Sequence, residues 1–194
     1  MAEPVRRDAI YADLMAVPEH LVAEILFGAL VTHPRPAPRH ALAASRLGVE
    51  IGGPFDKGSG GPGGWIILDE PELHLGPHVV VPDMAGWRRE RLPRLPDTAW
   101  FETAPDWVCE FLSPKTERHD RGAKQTIYAL WGVPHMWLIN PVLRQLEAYE
   151  LREAKWLRLD VFQDDALVAA PPFAEVPFEL ARLWPLDDQT SGQT

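Results

Sequence analysis

The sequence reads Val79-Val80-Val81-Pro82-Asp83 at one point and Trp107-Val108-Cys109-Glu110-Phe111-Leu112 at another, and both stretches are typical of buried β-strands. Asp83 directly follows the first strand, and Glu110 lies inside the second. An ionised carboxylate in apolar surroundings is unfavourable unless it is paired, hydrogen-bonded or bound to a cation. Glu110 is therefore expected to have such a partner.

Further strands and helices are predicted around these two stretches. Helices are expected over residues 8–17 and 39–51, and residues 19–32 are expected to form a helical turn that leads into a strand. A helix over residues 118–131 follows the strand at 107–112. The remaining strands are predicted at residues 65–68, 135–139, 145–151 and 155–162, the last two joined as a hairpin. Together these elements predict an α/β fold with a mixed β-sheet flanked by helices.

The glycine-rich stretch from Gly58 to Gly64 is predicted to be a flexible loop. It lacks the lysine of a phosphate-binding P-loop, so we expect a hairpin connection or a mobile flap. A chain of 194 residues is long enough to bury one sizeable core. We therefore expect a single domain over residues 1–186, followed by a polar, disordered tail over residues 187–194.

The composition excludes several classes of site and surface. A net charge of -9 argues against a surface that binds nucleic acid indiscriminately, because such binding depends on clustered Lys and Arg. The single cysteine, Cys109, excludes a cysteine-based zinc cluster within one chain, so a metal would need oxygen or imidazole ligands. No apolar run reaches the roughly 20 residues that span a bilayer, and residues 1–12 lack a signal-peptide core. These features predict a cytoplasmic protein without a membrane partner.

Lys124 is the candidate cationic group. It lies on the predicted helix with Asp120 and Tyr128 at spacings of four, so the three side chains share one face. If that face packs on the sheet, it can reach Asp83 and Glu110. Magnesium is the natural further cation, because it takes oxygen ligands and is typically held by one or two carboxylates plus a substrate phosphate.

Simpler interpretations of these residues stay open. Asp83 can be a turn-forming or helix-capping residue after a strand. Glu110 can form a buried ion pair with Arg121 or Lys124. An intrahelical pair with Asp120 would account for Lys124 without any catalytic role.

Several motifs occur in the same order as in a known protein family. They are Pro82-Asp83, residues 104–116, residues 120–133 and residues 136–141, preceded by Pro18-Glu19, residues 23–28, Pro34, Pro36 and His40. In these motifs the sequence resembles the Uma-two family of restriction-endonuclease-like proteins, which belong to the PD-(D/E)XK nuclease superfamily. The resemblance covers roughly residues 8–162. It implies a restriction-endonuclease-like core.

The resemblance also implies a metal site and a displaced lysine. Asp83 and Glu110 would bind Mg²⁺ or Mn²⁺, and the backbone carbonyl of Phe111 would complete the metal shell. The superfamily usually carries its lysine two residues after the second acid, where this sequence has Leu112. Lys124 would then take the catalytic role from the helix.

The resemblance also concerns two further residues near the metal site and one position at which this sequence departs from the family pattern. Glu24 resembles the extra acidic residue of the family, a water-mediated metal ligand. His40 is a candidate base or ligand, although a histidine there can equally serve packing. Asn140 stands where the family pattern has an aspartate before proline, a change that we expect to alter a turn rather than the chemistry.

The function implied is metal-dependent hydrolysis of DNA phosphodiester bonds. Trp87, Arg88 and Arg89 are the candidate DNA contacts, with Trp87 stacking on a base. One site cuts one strand, so double-strand cleavage predicts a homodimer, with the apolar hairpin over residues 145–162 as its surface. Two alternatives stay open: a non-catalytic module that binds nucleic acid or protein on a nuclease scaffold, and a metal-dependent hydrolase of small phosphoesters.

Overall fold

The computed structural model describes residues 8–185, which form two sheets and a short third pair of strands. The expected tail over residues 187–194 lies outside the described residues. The strands, in chain order, are β1 (Leu21–Leu26), β2 (Ala29–Pro34), β3 (Trp65–Asp69), β4 (Leu73–Leu75), β5 (His78–Val80), β6 (Met84–Arg88), β7 (Trp107–Phe111), β8 (His135–Asn140), β9 (Gln145–Arg152), β10 (Lys155–Gln163), β11 (Leu167–Val168) and β12 (Phe178–Glu179).

The helices are short apart from α2. They are α1 (Tyr11–Met15), α2 (Pro38–Ile51), α3 (Glu117–His119), α4 (Gln125–Leu130) and a 3₁₀ turn (Leu180–Leu183), with π-helical turns at Gly52–Asp56 and Asp120–Lys124. α1 covers only the centre of the helix predicted over residues 8–17. The helix predicted over residues 118–131 is divided into α3, a π turn and α4. No helix among the described residues has the length and apolar character needed to cross a membrane.

The larger sheet carries the site. In the described part of the chain it has six strands in the order β10-β9-β8-β7-β6-β3. β7 and β8 are parallel, because the connection through α3 and α4 returns the chain to the same end of the sheet, whereas the other neighbours are antiparallel. The sheet is mixed and flanked by helices, which confirms the predicted fold class.

Alternating side chains of β7 enter two different cores. Trp107, Cys109 and Phe111 join the core that contains α2 and the C-terminal segment. Val108 joins the core on the opposite face, which is formed with α4 and the smaller sheet. Because side chains alternate along a strand, Glu110 points into that second core. Its carboxylate therefore needs partners from the helix side.

The N-terminal region differs from the prediction. Residues 21–34 form a β-hairpin rather than a helical turn leading into a strand, with Glu24 opposite Val31. Phe27 and Gly28 make the turn, and both have positive φ, 49° and 75°. Two such residues are typical of the two-residue turns that match the twist of paired strands. β1 also pairs with β5 in a sheet ordered β2-β1-β5-β4, so tertiary pairing decides a sequence whose periodicity is ambiguous.

The glycine-rich loop is neither a hairpin connection nor a free flap. It joins the π turn after α2 to β3, and its backbone is bonded at both ends: Ser59 N donates to Gly53 O and Gly63 N donates to Pro54 O, both at 2.9 Å. α2 ends at Ile51, as predicted, but a π turn that was not predicted continues the chain from Gly52 to Asp56. Burial of Phe55 in the core favours this extension.

Candidate active site

A cavity of about 430 Å³ lies beyond the end of β7 and brings the predicted site together. One wall comes from β2 and the connection to α2, and the opposite wall from the turn between β7 and α3. The lining includes Asp83, Glu110 and Lys124, together with Asp120 and His40. These five residues, which are up to 84 positions apart in the sequence, therefore line one cavity.

Glu110 is 1% exposed and has a partner on each carboxylate oxygen. Its Oε2 accepts a hydrogen bond from Lys124 Nζ at 2.9 Å, and its Oε1 accepts one from the hydroxyl of Tyr128 at 2.6 Å. Burial raises the pKa of Glu110 well above its ordinary value, because Lys124 offsets only part of the cost and the neighbouring acids Asp120 and Asp83 oppose ionisation. The Lys124 ammonium therefore offsets only part of the cost of ionising this buried carboxylate.

Lys124 is held by the π turn that precedes α4. Its Nζ lies 2.9 Å from Glu110 Oε2 and 3.1 Å from Glu24 Oε1, and donates to the carbonyl oxygen of Val81 at 3.1 Å. Burial alone would lower the pKa of Lys124, but Glu110, Glu24, Tyr128 and Asp120 raise it well above the ordinary value. The ammonium is therefore charged and fixed.

Glu24 reaches the same lysine from the hairpin. Its Oε1 accepts a hydrogen bond from the backbone N–H of Val81 at 2.8 Å, and its Oε2 lies 3.7 Å from His33 Nε2. Burial raises the pKa of Glu24, but Lys124, His33 and the Val81 N–H lower it by more, to about 2. Glu24 is thus an ionised anchor for Lys124.

His33 was not among the candidate residues identified from the sequence. It lies on β2, and its pKa is raised because its ring pairs with the Glu24 carboxylate, an effect that outweighs burial. The signal that could have identified His33 is the alternation of side chains along two paired strands. In the hairpin Val22 pairs with His33, and Glu24 stands two residues further along the same face.

Asp83 lies where the chain passes from the smaller sheet to the larger one. The pairing of β6 with β7 ends at Met84 opposite Cys109, so the Phe111 N–H is left free of the ladder and donates to Asp83 Oδ2 at 2.7 Å. The other oxygen, Oδ1, lies 2.8 Å from His40 Nε2. His40 comes from the first turn of α2, and its ring lies 5.4 Å from that of Phe111.

The donor chemistry of the cavity fits a hard divalent cation. Three carboxylates, those of Glu24, Glu110 and Asp120, lie 2.9–3.8 Å from Lys124, so negative charge exceeds positive charge there. Burial, together with Asp83 and Glu24, raises the pKa of Asp120 against the effect of Lys124. Such an excess is typical of an acidic site that a cation completes.

The number of protein ligands is small. Within residues 8–185 no group of three or more His, Cys, Asp and Glu side chains is arranged to hold a metal ion. Asp83 and Glu110 would thus give two ligands, and water and substrate the others, which is how Mg²⁺ is commonly held. The backbone of Phe111 lies beside them through its bond to Asp83.

The three residues proposed to contact DNA lie outside this cavity. Trp87 is fully buried, stacks on Phe101 with 4.7 Å between ring centroids, and donates its Nε1–H to Thr103 O at 2.9 Å. Stacking of Trp87 on a base is therefore wrong, because alternation along β6 turns the ring into the core. Arg88 lies 4.2 Å over the Trp65 ring, and Arg89 pairs with Asp56 at 2.6 Å.

Comparison with known proteins shows the family to which the chain belongs. A model of the Uma2 family, the Uma-two family named above, is described as "Putative restriction endonuclease" and matches residues 11–182. A crystal structure of a "putative nuclease belonging to DUF820" from Anabaena variabilis is similar with a TM-score of 0.72 and 25% identity, over 89% of this chain and 96% of that chain. No curated protein matches the chain. Because the family model spans most of the sequence, the chain belongs to the Uma2 family of restriction-endonuclease-like proteins.

Proposed function

We propose that the protein is an endonuclease that hydrolyses DNA phosphodiester bonds with Mg²⁺ or Mn²⁺. The observation that carries the proposal is the convergence of Asp83, Glu110 and Lys124 on one cavity at the end of β7. Two carboxylates beside one lysine suit a reaction in which negative charge develops on phosphoryl oxygens. Family membership supports the same reaction class.

Each residue has a separate task in the proposed mechanism. A bound divalent ion supplies a Lewis acid and lowers the pKa of water. Asp83 and Glu110 would hold it, and the His40 ring and the Phe111 N–H fix the orientation of the Asp83 carboxylate. Precise orientation of such ligands is commonly worth 10–100-fold in affinity or activity.

Lys124 acts from a fixed position. The Glu24 carboxylate and the Val81 carbonyl hold its ammonium independently of Glu110. The ammonium is therefore anchored without Glu110, and it can donate a hydrogen bond to a phosphoryl oxygen or the attacking water. In this proposal Glu24 serves as the anchor of Lys124.

Cleavage of both DNA strands requires two copies of the site, so we propose a homodimer for that reaction. The test is the mass of the protein in solution, measured by light scattering with and without DNA. A monomer that makes only single-strand nicks would contradict the dimer and leave the nuclease site intact.

Plasmid nicking tests the function directly. Wild type is incubated with supercoiled plasmid and Mg²⁺ or Mn²⁺ beside Glu110→Ala, with Glu147→Gln as a control that carries its change outside the cavity. We expect nicking by wild type and the control, and none by Glu110→Ala. Absence of nicking by wild type with either metal would contradict the nuclease function. If wild type does not nick plasmid but cleaves a small phosphodiester given as a second substrate, the alternative function as a phosphoester hydrolase would be favoured. Nicking that persists in Glu110→Ala would contradict this site.

A further inference from the structure

Tyr128 is a buried residue of the charge cluster to which the proposed mechanism gives no task. It lies on α4, in the second core that Glu110 also enters, and none of its surface is exposed. Its hydroxyl donates a hydrogen bond to Glu110 Oε1 at 2.6 Å. Tyr128 lines neither the active-site cavity nor a second cavity, of about 590 Å³, that lies along α2. Its hydroxyl can therefore act on a bound ligand only through Glu110.

The hydroxyl of Tyr128, rather than its ring, bears on the site. The ring packs among apolar side chains such as Ile127 and Leu138, and a phenylalanine ring would fill the same space without a polar group. A buried hydroxyl is unfavourable unless it is hydrogen-bonded. Its distance from Glu110 is that of a hydrogen bond to an ionised carboxylate, which is typically about 2.5–2.7 Å long. The ionised carboxylate is also the form that binds a metal ion.

Glu110 is held at both oxygens from one side of the helix. Lys124 bonds to Oε2 and Tyr128 to Oε1, and the two donors are four positions apart. The Lys124 ammonium is shared, because it also lies 3.1 Å from Glu24 Oε1 and donates to the carbonyl oxygen of Val81. Within the described residues the Tyr128 hydroxyl bonds to Glu110 alone. Tyr128 is thus the donor that is dedicated to the orientation of Glu110.

The second proposed metal ligand is held in a similar way. Asp83 Oδ2 accepts a hydrogen bond from the Phe111 N–H, and Oδ1 lies 2.8 Å from His40 Nε2. A carboxylate oxygen has more than one lone pair, so an oxygen that accepts a hydrogen bond can still bind a cation. Partners of this kind orient metal ligands, and their loss commonly costs about 10–100-fold in metal affinity or activity.

We propose that Tyr128 is a positioning residue of the metal site: its hydroxyl holds the Glu110 carboxylate in the orientation in which Glu110 and Asp83 bind one divalent cation. This inference rests on the proposed function, because it takes Glu110 to be a metal ligand. Tyr128 touches neither the cation nor the substrate. Its hydroxyl therefore governs metal affinity and has little influence on the reaction rate once the site is filled.

Mn²⁺ binding to the metal-free protein, measured without DNA by the electron paramagnetic resonance signal of free Mn²⁺, tests this role. Tyr128→Phe removes the hydroxyl and keeps the ring. Tyr149→Phe is the matched control, because the Tyr149 hydroxyl also donates to a buried glutamate of the same sheet, Glu147, and neither residue lines a described cavity. Glu110→Gln identifies the site at which Mn²⁺ is measured.

Tyr128→Phe is expected to bind Mn²⁺ about 10–100-fold more weakly than wild type, whereas Tyr149→Phe should bind it like wild type and Glu110→Gln should lose the site. In the nicking assay, the Mn²⁺ concentration at half-maximal rate should rise by the same factor in Tyr128→Phe. The rate at saturating Mn²⁺ should stay close to that of wild type, as expected when only binding is weakened. Melting temperatures of the metal-free proteins show whether each variant is folded.

Unchanged Mn²⁺ affinity in a folded Tyr128→Phe protein would overturn the proposal, and so would an equal loss of affinity in Tyr149→Phe. A Tyr128→Phe protein that does not fold would assign the hydroxyl to the fold and would also overturn it. The same holds if wild type binds no Mn²⁺, because Glu110 would then have no cation to bind.

The outcome is separable from that of the nuclease test. If wild type nicks plasmid and Tyr128→Phe binds Mn²⁺ like wild type, the role of Tyr128 is wrong and the nuclease stands. If wild type binds Mn²⁺ but nicks no plasmid, the nuclease is wrong, and the Mn²⁺ affinities of the two tyrosine variants alone decide the role of Tyr128.

Discussion

Two buried acidic groups flank the same π turn, and they differ in charge balance. On one face Lys124 is shared by the carboxylates of Glu24, Glu110 and Asp120. On the other face Glu147 faces two arginines, with Arg121 bonded to it directly and Arg158 at 3.6 Å, and Arg121 also pairs with Glu117 at 2.8 Å. The first group is short of positive charge, whereas the second is not.

The pKa shifts have opposite signs in the two groups. Burial raises the pKa of both Glu110 and Glu147, but hydrogen bonds from Arg121 and Tyr149 lower that of Glu147 below its ordinary value. The pKa of Glu110 stays raised. A cavity opens beside Glu110, and neither described cavity is lined by Glu147. The comparison separates a balanced ion-pair group from a cluster with an excess of carboxylates beside a cavity, which is the charge balance that the proposed metal site requires.

The largest expected effect follows from removing the shared cation with Lys124→Met. The free energy of unfolding should fall by about 3–5 kcal/mol, because buried carboxylates lose their partner. Arg121→Met in the other group should cost only about 1–2 kcal/mol, since the Arg121 side chain is 34% exposed and water screens its pair. Urea unfolding followed by tryptophan fluorescence measures both. Equal losses would show that the two groups do not differ.

Glu110→Gln should separate activity from stability. Nicking is expected to fall at least about 100-fold, which corresponds to roughly 2.7 kcal/mol in the barrier. The melting temperature in the absence of metal should not fall, because the raised pKa of Glu110 means that its charge opposes folding. Calorimetry beside the nicking assay provides the measurement. A large drop in melting temperature would assign Glu110 to structure.

Glu147→Gln is expected to have the reverse signature. The protein should lose about 1–2 kcal/mol of stability, because Arg121 loses its ionised partner, and nicking should stay close to the wild-type rate. Glu147→Gln and Glu110→Gln make the same chemical change on two strands of one sheet, β9 and β7, which are separated by β8. Loss of nicking in a folded Glu147→Gln protein would contradict the separation of the two groups.

The smallest effect is a pH dependence of the Glu147 group. Its pKa is lower in the folded protein than the ordinary value of 4.5, so its ionised form contributes stability above about pH 4.5. That contribution disappears as the pH falls through the folded pKa. The difference in unfolding free energy between wild type and Glu147→Gln should thus be largest near pH 6–7 and shrink toward pH 3. A difference that does not change with pH would contradict the assigned sign.

The sequence predicted the larger sheet well. Long apolar strands such as residues 107–112 and the hairpin over residues 145–162 have a clear periodicity, and the structure confirms them. β6 was missed, because Met84–Arg88 follows a proline and an aspartate and ends in arginine. Trp87 was misplaced for the same reason: its arginine neighbours suggest a surface, whereas the strand's alternation turns the ring inward.

The candidate site, like the sheet, could be predicted from the sequence only in part. Asp83, Glu110 and Lys124 could be found from the sequence, because a charge in an apolar strand requires a partner and helical spacing places Lys124 with Asp120 and Tyr128. The bonds that complete the site could not be found, since Glu24, His33 and His40 come from a hairpin and a helix whose position depends on sheet pairing. Long-range pairing leaves no local pattern in the chain.

The sequence by itself thus determined which residues carry the charge and which strands are buried, because hydrophobic periodicity and the cost of burying a carboxylate are local properties. Only the tertiary structure decided how that charge is balanced. Glu147 has two arginines within reach and stabilises the fold, whereas Glu110 shares one lysine with two other acids beside an open cavity. The distance between charges governs their interaction, and only folding sets that distance.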